Sequence, residues 1–128
     1  MQGRPFLGAA ISEAIAFVHG TRDRMDETLE TTRWISDGRY HLVRSFDTRP
    51  PADQQTLLSC YNSNGELCRE IRAMKAAGSL TDTQRKLWGD SRPPVMLFDT
   101  QGDPWCVRNL ASDPAHRERA TKMLAELE

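Results

Sequence analysis

The sequence predicts an α+β domain: a small antiparallel sheet of about four strands, a C-terminal helix packed on one face, and one or two further short helices. Three observations carry that expectation. Asp37-Gly38 stands between two runs of strand-forming residues, Thr31 to Ile35 and Arg39 to Phe46, and this dipeptide is a strong hairpin signal. Residues 97 to 114 read, in order, as strand, tight turn, return segment and helix start. Ala120, Met123, Leu124 and Leu127 then recur at the spacing of one helix face.

Taken along the chain, residues 1–13 read as a leader with Gly and Pro punctuation and little periodicity. Ala14 to His19 is an apolar run ended by Gly20, which predicts a buried first strand. The hairpin around Asp37-Gly38 calls for a type I′ turn, since both residues tolerate positive φ, and Tyr40 and Leu42 share its core face. Residues 47–62, with Pro50-Pro51 and many polar side chains, read as a loop. Ser63 and Glu66 have capping-box spacing for a helix whose apolar stripe is Leu67, Ile71 and Met74, with Gly78 as its stop. Thr81 and Gln84 repeat that spacing for a short helix ending near Trp88. Arg92-Pro93-Pro94 forces an extended entry into a strand at Val95 to Asp99. Asp113 is the N-cap and Pro114 the first residue of the last helix, which runs to Leu127.

At 128 residues the chain is a single domain, 1–128, able to bury roughly two-thirds of its unfolded surface. Seventeen basic against eighteen acidic residues give a net charge of −1, so no global field attracts a polyanion, and nucleic acid is not an expected partner. Arg33, Arg39 and Arg44, interleaved with Trp34 and Tyr40, are the one stripe that runs against this. Apolar runs are too short to span a bilayer, so no membrane partner is expected. Taken at face value the sequence predicts a cytoplasmic chain. Cys60, Cys68 and Cys106 are odd in number and show no CxxC spacing, which points to free thiols. His41 and His116 are expected to face solvent, and Trp88 and Trp105 to be packing residues.

Several segments together carry a family resemblance. Leu97-Phe98-Asp99, Asp103-Pro104, Asn109-Leu110-Ala111 and Asp113-Pro114 resemble the L-Y-D-x-x-x-D-P-x-E-x-x-N-L-A-x-D-P signature near the C-terminus of sulfatases of the alkaline-phosphatase superfamily. Phe98 replaces the usual Tyr, and Cys106 stands where that pattern has Glu. Upstream, Arg22-Asp23-Arg24-Met25-Asp26-Glu27 is similar to the RDRMDE segment of bacterial sulfatases related to arylsulfatases and heparan N-sulfatases. The run from Arg33 to Arg44 resembles the hairpin that follows it, and Ala77 to Thr81 with Gln84 and Trp88 resembles a later G-K-L-T-x-x-Q stretch. Gly3 to Gly8 is similar to the segment that leaves the catalytic domain. The order of these pieces is the family's, over nearly the whole chain.

That resemblance implies the fold expected above and a division of labour. Sulfatases attack with a formylglycine made from a Cys or Ser in a C/S-x-P-x-R context, and a full-length relative needs a divalent cation such as calcium. Cys68-Arg-Glu-Ile-Arg72 has the Arg but lacks the Pro, and no other position does better, so no catalytic residue is assigned. No metal site and no cofactor is assigned either: Asp99 and Asp103 flank Gly102 as turn residues, and Asp23, Asp26 and Glu27 lack partners at ligand spacing. The resemblance implies a C-terminal fragment that completes the substrate pocket of a full-length sulfuric ester hydrolase and is inactive alone. The alternative is a stand-alone, non-enzymatic oligomerising or anion-binding module. Either way, an exposed docking face predicts a homo-oligomer. The resemblance sets His19 and the following segment near the mouth of the active-site pocket. His19, Arg22 and Arg24 are therefore the candidate substrate-binding residues, facing a sulfated small molecule or saccharide. The competing expectation is an Arg–Asp–Arg ion-pair network that pins a turn.

Overall fold

In the computed structural model, which describes residues 15–25, 28–47, 65–90 and 92–128, an antiparallel sheet carries one long helix on a single face. The strands are β1 (Val18–Met25), β2 (Thr28–Ser36), β3 (Tyr40–Ser45) and β4 (Val95–Asp99), in the order β1-β2-β3-β4. The helices are α1 (Glu66–Ala76), α2 (Asp82–Leu87) and α3 (Arg117–Leu127), the last entered through a 3₁₀ turn at Pro114–His116. The α+β class and the number of strands are as the sequence predicts.

The core follows from register. Ile35, Leu42 and Leu97 lie opposite one another across β2, β3 and β4 and are fully buried. Residues directly opposite share a face, so these three form one apolar column, and Ala120, Met123 and Leu110 close over it. Leu124 and Leu127 pack at its margin, which is the face of α3 that the spacing predicts. Tyr40 ties the hairpin to α3: the Arg119 guanidinium lies 4.0 Å over its ring and donates to Asp37 at 3.0 Å. His116 stands 5.9 Å from the same ring and is half-buried rather than facing solvent.

Several helix boundaries obey local chemistry. Thr81 and Gln84 form the reciprocal capping box, and Asp113 accepts from the Ala115 N–H beside Pro114. Gly78 has φ +67°, with Gly78 N–H donating to Lys75 O and Ser79 N–H to Met74 O, a Schellman stop. At the start of α1 the N-cap is Gly65 with no side-chain bond; the Ser63 half of the expected cap lies outside the described residues, as do residues 1–13 and 48–62 of the leader and loop.

Other elements differ from expectation. The first strand is not Ala14 to His19 but Val18–Met25, and it is not buried: Ile15 and Val18 are more than half exposed. An edge strand is held by its ladder, here to β2, and a charged sequence can supply that as well as an apolar one. Gly20 does not end the strand. It lies within it, opposite Trp34, whose indole occupies the space a side chain would fill. The β2–β3 turn has positive φ at Gly38 alone, so it is not type I′. Asp37 Oδ1 instead accepts from the N–H groups of Arg39 (3.0 Å) and Tyr40 (2.6 Å), a side-chain substitute for turn bonding. His41 is half-buried, its ring tilted 33° against that of Trp34 at 5.0 Å, where burial pushes its imidazole below the usual range. Trp105, expected to pack, is 82% exposed.

Candidate functional site

The signature segment builds scaffold. Asp99 accepts from Arg39 Nε (3.0 Å) and Nη2 (2.7 Å), joining the end of β4 to the start of β3. It also accepts from the N–H groups of Gln101 and Gly102, which fixes the turn. Those hydrogen bonds, the Arg39 pair foremost, hold its carboxyl well below the usual carboxylate range. Asp103 accepts from the Arg108 N–H at 2.7 Å and so shapes the return segment. Asn109 Oδ1 accepts from Leu97 N–H (2.9 Å) and Ala111 N–H (3.0 Å), while its Nδ2 donates to Val95 O. Leu110 N–H donates to Leu97 O at 2.7 Å. Asn109-Leu110 thus satisfies the outer edge of β4 as a neighbouring strand would. Cys106, in the position where the pattern has Glu, has φ +52°, and burial with the nearby Asp103 charge pushes its thiol up.

The basic stripe on the hairpin is neutralised. Arg33 donates to Asp23 at 2.7 Å, Arg39 is held by Asp99, and Arg44 is paired with Glu128. Little positive charge is left there for a polyanion. The acids are engaged by the same bonds, and no group of three or more His, Cys, Asp or Glu side chains gathers among the described residues.

The three candidate binding residues all lie on β1 and are not brought to one point. His19 is exposed opposite Ile35, on the face that carries α3, whereas Arg22 lies opposite Thr32, on the other face. Positions three apart on an extended strand project to opposite sides. Arg24 is exposed and pairs with Leu29 beyond an irregularity in the register. Arg22 Nη2 is 3.4 Å from Glu30, a residue only 4% exposed. The other oxygen of Glu30 pairs with Arg92, itself nearly buried. Glu30 and Arg92 were not legible as partners, because a buried carboxylate and an arginine beside two prolines carry no local signal of pairing. The expected Arg–Asp–Arg network is in fact two pairs, Arg33–Asp23 and Arg22–Glu30, both stapling β1 to β2.

No helix among the described residues is long and apolar enough to cross a membrane. No family model matches the chain. The chain is similar over all of its 128 residues, at 28% identity, to an ulvan-active sulfatase of Formosa agariphila. It spans 21% of that protein's length, about a fifth. That similarity agrees with the motifs from Arg22 to Pro114, which resemble those of the C-terminal subdomain of sulfatases.

Proposed function

We propose that this chain is the C-terminal fragment of a sulfatase-type sulfuric ester hydrolase, completing the substrate pocket of a full-length enzyme and inactive by itself. The observation that carries the reading is a similarity that covers the whole chain but about a fifth of the sulfatase it matches. Its role is to hold and orient, not to attack. The chain has no C/S-x-P-x-R segment, and Asp23, Asp99 and Asp103 are tied to arginines or to backbone N–H groups.

The ligand is a sulfated small molecule or saccharide lying along β1, an edge strand of the sheet. Arg22 and Arg24 donate to sulfate oxygens on one stretch, and His19 meets the next portion across the edge. The Arg22–Glu30 separation of 3.4 Å exceeds the 2.7–2.9 Å or so of a tight charge-assisted bond, which leaves the guanidinium able to turn toward an incoming anion. Because the relative is named for activity on ulvan, fragments of that polymer are the first ligand to try. Titrated onto the chain, they should bind more weakly as salt rises, and an Arg22→Gln/Arg24→Gln double variant should lose about tenfold in affinity. Equal affinity in variant and parent would remove both arginines from the site.

The alternative, a stand-alone oligomerising or anion-binding module, draws on the exposure of Val18, Leu29, Phe46, Leu67 and Trp105. A stable oligomer formed without any sulfatase partner, together with no effect of the chain on sulfatase activity, would favour it.

A further inference from the structure

Beneath α2, on the sheet face opposite α3, lies a cleft of about 850 Å³, a volume that suits a small organic ligand. Met96 and Phe98 of β4 line it, and their register partners Val43 and His41 place them on the side away from the core column. Pro93, Pro94 and Val107 add further apolar surface. Four basic side chains surround this floor, Arg85, Lys86, Arg92 and Arg108, against one acid, Asp90. They come from three separate stretches of chain: α2, the segment entering β4, and the return segment after it.

Two of the four are already committed. Arg92 pairs with the buried Glu30, and Arg85 pairs with Asp82 while donating to Leu80 O. Asp90 is itself paired, with Lys75 at 2.7 Å. Lys86 has no acidic partner among the described residues, and Arg108 reaches Asp113 only at 3.5 Å with its side chain 76% exposed. An apolar floor with two available cations at its rim selects one chemistry. From this geometry we infer that the cleft binds a small amphipathic oxyanion, a ring whose apolar face rests on Met96 and Phe98 and whose sulfate, sulfonate or carboxylate is held by Lys86 and Arg108. The inference stands on the cleft alone and does not require the β1 site or any sulfatase partner.

The test uses the full chain and four probes: 2-naphthyl sulfate, 2-naphthoate, the neutral 2-naphthol and inorganic sulfate, followed by calorimetry. Both ring-bearing anions should bind, with inorganic sulfate and 2-naphthol each weaker by about tenfold or more, since each has half of what the cleft recognises. Preference between the two anions then separates sulfate from carboxylate as the head group. A Lys86→Gln/Arg108→Gln variant, altered only at exposed side chains and checked for its fold by circular dichroism, should lose about tenfold. A second readout locates the ligand. Cys106 lines the cleft, so bound 2-naphthyl sulfate should slow alkylation of Cys106, read by mass spectrometry of its peptide, and leave Cys68 unaffected. Binding of 2-naphthol as tight as that of the sulfate ester, unchanged affinity in the double variant, or no protection of Cys106 would each overturn the inference.

Discussion

A methyl group added at Gly20 would fall 2.0 Å from Trp34 Cε2 and 2.2 Å from Cζ2, distances no relaxation of the indole absorbs cheaply. Gly20→Ala should therefore displace Trp34 from His41 and cost about 1–3 kcal/mol, read as a lower urea midpoint with an unchanged slope. Acid should weaken the fold through His41, Asp37 and Asp99, whose shifts act in the same direction. His41 has its pKa pushed down by burial, so the unfolded chain takes up the proton first and stability begins to fall below about pH 6.5. Asp99 is depressed by Arg39, so its contribution is complete above the unfolded value of about 3.9 and is lost as pH falls through and below it. Urea midpoints measured down a pH series should decline gently from near neutrality and then more steeply. Asp99→Asn should flatten part of the steep fall and His41→Gln the gentle part; a parent curve level from neutrality to about pH 4 would contradict the His41 assignment, and one that stays level on to about pH 2 would contradict that of Asp99.

At the scale of elements, the outer edge of β4 depends on one side chain. Asn109→Ala leaves the N–H of the fully buried Leu97 without its second-side acceptor and frees Val95 O, which should cost about 2 kcal/mol and speed hydrogen exchange at Leu97. Met123→Ala should cost about 2–5 kcal/mol by opening a void between α3 and the Ile35–Leu42–Leu97 column. Elements written in local chemistry were readable in advance: β4 between its prolines and Asp99, the Thr81–Gln84 box, and the Asp113-Pro114 start. β1 was not, because its place is fixed by a ladder to β2 rather than by its own periodicity, and the apolar run ahead of it draws the eye. The hairpin was placed correctly and its turn was not, since the Asp37 carboxylate supplies bonds that a two-residue motif does not advertise. Of the candidate site, the sequence offers the arginines of β1 as expectations, without their partners. The Glu30 that joins Arg22 to Arg92, and the opposite facing of His19 and Arg22, follow only from pairing distant residues in register.

At the scale of the molecule, much of the charge among the described residues is arranged in pairs, and several apolar side chains are left exposed. Arg33, Arg39, Arg44 and Arg92 each meet an acid. Leu29, Phe46, Leu67 and Trp105 remain exposed, and such side chains favour association; sedimentation should show dimers or larger species growing with concentration, and a monomer throughout would argue against an open docking face. The central proposal is that this chain, similar to a sulfatase, holds and orients without attacking. The most direct test is to incubate the purified chain with calcium and 4-nitrophenyl sulfate and follow release of 4-nitrophenol. The account predicts a rate equal to the buffer blank, and sustained turnover above that blank, proportional to the amount of chain, would contradict it.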